Sequence, residues 1–365
     1  MLRQSCSSAI NSMYSLRETD KMNYTLLGKS GLRVSEVCLG AMTFGEDSGW
    51  GASKEESRQV FEAFTAVGGN FIDTANIYNS GTAECYLGEF VKAQRDQFVL
   101  ATKYSISSNP GDPNAGGNQR KNMMQAVEAS LKRLNTDYID LYWMHAWDMI
   151  TPIDEVMRSF DDLVRAGKVL YIGISDTPAW VVSEANMLAE LRGWTRFIGL
   201  QIPYSLIDRT VERDLLPMAR AGSLTVTAWG AIGSGVLTGK YSGKAGEPVH
   251  SRGELGNDRL TERNLQIASE VLAIAAEQDR PPSQIALAWV RQQPHEVIPI
   301  LGARTLSQFN ENIGYLNCKL SAEQLTRLDQ VSAIDMGFPY SLLESKRFKT
   351  MNRLANVLDG FHPEY

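Results

Sequence analysis

The sequence predicts a closed (β/α)8 TIM barrel, entered through an N-terminal β-hairpin and followed by extra C-terminal helices. Short apolar runs alternate with amphipathic stretches along nearly the whole chain of 365 residues. The runs are continuously apolar rather than alternating, as strands buried on both faces of a parallel sheet must be. No shift of composition divides the chain, so one barrel domain over 22–365 is the simplest reading, with an open doubly wound sheet as the alternative. The distinction matters because a barrel places its site at the C-terminal ends of its strands.

In chain order, residues 1–21 are Ser-rich and weakly basic without an apolar run. They read as a disordered or loosely attached N-terminal extension, with a mitochondrial transit peptide as the lesser alternative, and not as a secretory signal. The hairpin is expected over 24–28 and 33–36, joined through Lys29, Ser30 and Gly31. Barrel strands are expected over 37–42, 71–75, 98–103, 139–145, 169–175, 197–204, 224–230 and 297–302. Helices are expected over 54–67, 83–93, 123–134, 153–165, 179–191 and 211–220, where apolar residues recur at spacings of three and four. Two helices, 263–277 and 283–292, precede the last strand, and 306–315 follows it. A final helix over 321–334 opens with Ser321 as N-cap and Gln324 completing a capping box. Three loops after strands are long: 105–118, 231–260 and the tail beyond Asp335. Substrate selectivity commonly resides in such loops.

Composition excludes several functions. With 36 Lys+Arg against 42 Asp+Glu, the net charge of −6 gives no general footprint for nucleic acid or an anionic membrane. No apolar run approaches the roughly 18 residues of a membrane span. Cys6, Cys38, Cys85 and Cys318 lie far apart without a CxxC, which argues against a disulfide framework and fits a reducing, cytoplasmic setting. His145, His250, His295 and His362 form no metal-ligand motif, so no metal is expected. The other three histidines are expected in solvent.

Chemistry is expected where polar residues end the apolar runs. Asp73 closes the second strand with Tyr78 in the loop beyond, Lys103 closes the third, and His145 closes the fourth. A fold rarely buries an ion pair at a rim for stability alone. The four suit proton delivery to a carbonyl oxygen: Tyr78 as acid, Lys103 as the ammonium that favours its phenolate, Asp73 holding Lys103, and His145 orienting the substrate. An ammonium about 4 Å from the phenol would favour phenolate by about 4 kcal/mol at an effective dielectric near 20, less the cost of desolvation. None of the four donates a hydride, so a nicotinamide cofactor is implied. There is no Rossmann glycine motif or Walker A loop, although 234–241 resembles the latter superficially. Instead Gly302-Ala303-Arg304-Thr305 runs from the last strand into a helix, an anion site with a guanidinium beside it. That favours NADP(H).

The residues Asp73, Tyr78, Lys103 and His145 resemble the catalytic tetrad of the aldo-keto reductase superfamily, over 22 to about 334. The stretches GISD, QIPYSLID and ENIG are most similar to its aryl-alcohol-dehydrogenase-like and potassium-channel β-subunit-like members. The resemblance implies that Ala41 and Met42 approach the ribose and nicotinamide, and that Ser175, Asp176 and Gln201 bind the carboxamide. It places Trp229 on the nicotinamide ring and passes Gly230, Ala231, Ile232, Gly233 and Ser234 along the pyrophosphate, with Lys240 and Arg252 reaching over it. Gly302, Arg304, Gln308, Glu311 and Asn312 match the adenosine 2′-phosphate and adenine site. Asp176 stands where Asn is common, exchanging a donor for an acceptor-only group. Gln308 stands where some members have Arg, leaving Arg304 as the main phosphate cation.

Trp50, Trp147, Tyr204, Phe338 and Tyr340 are candidates for either the substrate pocket or packing. The expected function is reduction of an aldehyde or ketone, a small-molecule carbonyl substrate, by NADPH. A cofactor-sensing regulatory subunit is the alternative, and a class I aldolase using Lys103 as Schiff-base nucleophile is a third reading. A homo-oligomer is left open.

Overall fold

The computed structural model describes residues 22–241 and 259–351. The N-terminal extension, Arg252, His250, His362, most of the second long loop and the end of the tail lie outside the described residues. β1 (Tyr24–Leu26) and β2 (Arg33–Ser35) pair antiparallel with Thr25 opposite Val34. Eight further strands follow: β3 (Cys38–Gly40), β4 (Phe71–Asp73), β5 (Val99–Tyr104), β6 (Ile139–Met144), β7 (Val169–Ser175), β8 (Phe197–Pro203), β9 (Thr225–Trp229) and β10 (Val297–Leu301). They close in the order β10-β3-β4-β5-β6-β7-β8-β9, all parallel. The closing pair sets Ile300 opposite Cys38, which excludes an open sheet.

Around the barrel lie α1 (Lys54–Ala66), α2 (Thr82–Val91), α3 (Arg120–Leu134), α4 (Ile153–Arg165), α5 (Ala179–Arg192), α6 (Leu215–Ala221), α7 (Glu262–Gln278), α8 (Pro282–Arg291), α9 (Leu306–Ile313) and α10 (Ala322–Val331). Two short helices, α11 (Tyr340–Leu343) and α12 (Lys346–Met351), end the described chain. The expected capping box forms at Ser321 and Gln324, and a second forms at Ser53 and Glu56. The helix expected over 211–220 is divided. A 3₁₀ turn, Thr210–Glu212, is followed by α6, whose N-cap Asp214 accepts from the Leu215 N–H. Pro217 then falls in the first turn, where its missing N–H costs nothing. Past α9, the helix expected to reach 315 tightens into the 3₁₀ turn Gly314–Asn317.

The barrel interior is filled by Cys38, Phe71, Val99, Ala101, Leu141, Trp143 and Ile298, and Leu27 and Val34 of the hairpin join them from below. Gly173 and Gly199 on β7 and β8 make room for the Trp143 indole, since a Cβ at either would sit 2.3 or 2.8 Å from it. At Gly28 (φ +53) a Cβ would lie 2.1 Å from the Ile198 carbonyl, and its N–H donates to Thr225 Oγ1 at 2.6 Å. The hairpin is therefore seated against the starts of β8 and β9 and plugs the N-terminal mouth.

Candidate active site

Asp73 is the last residue of β4 and Lys103 the next-to-last of β5, so both sit at the C-terminal mouth. The ladder runs past β4, with the Thr74 and Asn76 N–H groups donating to the Ala101 and Lys103 carbonyls. That carries the chain on to Tyr78. Lys103 is fully buried and spends its three N–H groups on three acceptors: Asp73 Oδ2, the Thr74 carbonyl at 2.8 Å and the Tyr78 hydroxyl oxygen at 3.1 Å. Gln201, on β8 across the barrel, donates to the other oxygen of Asp73 at 3.1 Å. His145 follows β6, its N–H donating to the Tyr104 carbonyl, and its ring meets that of Tyr78 edge-on with centroids 5.9 Å apart. The four residues converge as the sequence predicts.

Their electrostatics follow from burial. Desolvation opposes the Lys103 charge, yet Asp73 and Tyr78 lift its pKa above the ordinary lysine value, so it remains an ammonium. Burial raises the Asp73 carboxyl, while Lys103 and Gln201 pull it back. Burial and then the Lys103 charge push His145 down to about 3, leaving a neutral imidazole whose Nδ1 is buried without a partner. For Tyr78 the balance departs from the expectation of an acidified phenol. Burial raises its pKa more than Lys103 lowers it, and Asp73 raises it further. The resting phenol is protonated at neutral pH.

The C-terminal ends of β7 to β10 and of β3 carry the residues implied for a dinucleotide. Ser175 and Gln201 are register partners, as are Gln201 and Thr227, and the buried Ser175 Oγ and Thr227 Oγ1 have no partner. Asp176, at φ +40, accepts from the Trp229 indole N–H at 3.2 Å. Ala41 is buried and bonded to the Asp73 carbonyl at 2.8 Å, and Met42 beside it is 40% exposed. A Cβ at Gly230 would meet nothing within 4 Å, leaving open space over the backbone. Ala231 and Gly233 are buried, Ile232 and Ser234 half-buried. The exposed Lys240 lies along Gly235, where a Cβ would be 2.7 Å from its Cε. Thr305 caps α9, Gln308 Oε1 accepts from the Arg304 N–H at 3.0 Å, and the Arg304 side chain is exposed. Glu311 accepts from Ser283 Oγ at 3.2 Å and Asn312 is buried. An orphaned hydroxyl, an open glycine backbone, an indole and a guanidinium at a helix N-terminus suit a carboxamide, a phosphate chain and a further phosphate.

Three groups were not anticipated. Asn79 follows Tyr78 and reaches the loop after β3. The fully buried Asn118 exchanges bonds with Asp148, its N–H donating to Asp148 Oδ2 at 2.7 Å and its Oδ1 accepting from the Asp148 N–H at 2.7 Å. That joins the loop after β5 to the loop that His145 opens. The Thr74 carbonyl completes the Lys103 set. Polar residues with turn chemistry, Asn-Ser-Gly and Asp148 three before Thr151, were the available signals. Among the aromatics, Tyr204 is core, packed on Trp289 with its hydroxyl on Glu212, whereas Phe338 is 82% exposed. Trp147 meets Trp180 edge-on at 5.6 Å beside the mouth. Trp50 and Tyr340 are half-buried. His295, expected in solvent, is half-buried, its Nδ1 sealed off without a partner.

Residues 36–333 match the Aldo/keto reductase family. The chain is 39% identical over 339 residues to norsolorinic acid reductase B of Dothistroma septosporum, covering 90% of this chain and 86% of that protein. It is 38% identical over 326 residues to the norsolorinic acid reductase stcV of Emericella nidulans, covering 86% and 82%. An aryl-alcohol dehydrogenase of Pestalotiopsis microspora is 35% identical over 327 residues, covering 87% and 84%. Among the described residues, no helix is long and apolar enough to cross a membrane and no cluster of ligating side chains could hold a metal ion.

Proposed function

This chain belongs to the aldo/keto reductase family and is an oxidoreductase, and from that premise we propose that it reduces aldehydes or ketones with NADPH, Tyr78 acting as general acid. The observation that carries the reading is the saturation of Lys103. Its ammonium donates to the Tyr78 oxygen, so the phenol's own hydrogen is left to donate to a substrate carbonyl. Neutral His145 offers a second N–H to the same oxygen and is too weakly basic to serve as the acid. A nicotinamide cofactor, when bound, supplies the hydride to the carbonyl carbon. As charge builds on the substrate oxygen, Tyr78 gives up its proton, and Lys103, itself held by Asp73, stabilises the phenolate that remains. The raised resting pKa of Tyr78 keeps the proton in place until that moment, and the adjacent ammonium lowers the cost of releasing it.

The exposed Arg304 guanidinium at the N-terminus of α9 favours the extra phosphate of NADP(H) over a bare ribose. Unpaired Cys38, Cys85 and Cys318 suit a reducing cytoplasm. The saturated, charged Lys103 has no lone pair for a Schiff base, which disfavours the aldolase reading.

The test is multiple-turnover NADPH consumption with a panel of aromatic and aliphatic aldehydes. Tyr78→Phe is expected to lower kcat about 10²- to 10⁴-fold while NADPH still binds. Wild-type turnover in that variant removes Tyr78 from the role of acid. Tight NADPH binding by the unmodified protein without any turnover favours a regulatory subunit instead.

A further inference from the structure

We propose that Asn79 is a positioning residue for the reaction, its carboxamide fixing the turn that carries Tyr78 to the loop after β3. This rests on Tyr78 being the acid. Tyr78 opens a 3₁₀ turn, Tyr78–Gly81, in which Asn79 (φ 45), Ser80 (φ 55) and Gly81 (φ +95) are left-handed in succession. L-residues visit that region singly, and a run of it persists only where surrounding contacts over-determine it.

Asn79 supplies those contacts. It is 4% exposed, and its Nδ2 donates to the Phe44 carbonyl at 2.9 Å and the Met42 carbonyl at 3.3 Å, while Oδ1 accepts from the Ser48 N–H at 3.2 Å. Gly45 leaves room for it, since a Cβ there would lie 2.8 Å from the Asn79 Cβ. At the far end of the turn, the Arg133 side chain lies where a Gly81 Cβ would be, 2.8 Å away at its Cδ. Arg133 is held by Glu84, which also accepts from Thr102, the neighbour of Lys103. The turn is thus clamped at both ends, one clamp leading to Lys103 and the other to the strand-end loop containing Met42. Glycine would meet the backbone requirement at position 79 alone; the side chain is needed for the tether.

The comparison of Asn79→Gly with Asn79→Asp tests this. Glycine keeps the φ angle and deletes every bond, whereas aspartate keeps the acceptor and deletes the donor. Both are expected to lower kcat with benzaldehyde about 10- to 100-fold, as a misplaced catalytic group does, with little change in the KM for the aldehyde. The deuterium isotope effect, measured with NADPH deuterated at the transferred position, is expected to rise as the chemical step becomes limiting. A merely structural defect reduces the active fraction and leaves that isotope effect unchanged. Wild-type kcat in both variants, or a fall with an unchanged isotope effect, overturns the proposal. Turnover persisting in Tyr78→Phe overturns the acid assignment itself, whereas an inactive Tyr78→Phe beside a fully active Asn79→Gly overturns the positioning role alone.

Discussion

The two mouths of the barrel are built from the same strands and do opposite things. At the N-terminal mouth, Leu27 and Val34 of the hairpin cap Cys38, Phe71, Val99 and Leu141, all buried and apolar. At the C-terminal mouth, a few residues along the same strands, stand Asp73, Lys103, His145, Ser175, Gln201 and Thr227. Several of their polar atoms are buried without partners. Close packing at one end lets the fold carry a desolvated ion pair and orphaned hydroxyls at the other. A polar group buried without a partner opposes folding, so their concentration at one mouth marks it as the candidate site.

Two substitutions should separate the two mouths most sharply. Lys103→Met leaves Asp73 buried without its cation, and should lower unfolding free energy by about 3–5 kcal/mol while abolishing turnover. Denaturant unfolding beside steady-state assays of the folded protein reads both effects. Phe71→Ala at the opposite mouth should cost a similar about 3–5 kcal/mol, with kcat per folded molecule unchanged. If Phe71→Ala altered kcat as strongly as stability, the two ends would not be separable. Smaller in effect, Arg304→Ala should weaken NADPH by about 1.5–3 kcal/mol, the worth of a hydrogen bond to a charged group, and leave NADH affinity unchanged. Titration calorimetry with the two cofactors measures the difference, and equal losses for both would remove Arg304 from the 2′-phosphate.

Much of this division is legible in the sequence. Val169–Ser175 and Ile153–Arg165 fall where periodicity puts them, because each is a long stretch with one clear pattern. Strand ends are less certain. The expected 71–75 stops at Asp73, although Thr74 and Asn76 still bond to β5, so the chain remains extended past the last paired residue. At 211–220 apolar spacing sees neither the Asp214 cap nor the consequence of Pro217. The four convergent residues are readable because each interrupts or ends an apolar run. Asn79, Asn118 and Asp148 are not, since their partners lie about 30 residues away in other loops. The sign of the Tyr78 shift is also hidden, because the sequence supplies the neighbouring ammonium but not the degree of burial that outweighs it.

The phenol of Tyr78 can be observed directly by following its ring carbon bonded to oxygen, labelled with ¹³C, through a pH titration. A group whose pKa lies above the ordinary tyrosine value stays protonated through neutrality and loses its proton only beyond about pH 10, with carbonyl reduction falling over the same range. The phenol signal is expected to stay unchanged from pH 6 to 9. A phenolate signal at pH 7 in the free protein would contradict it.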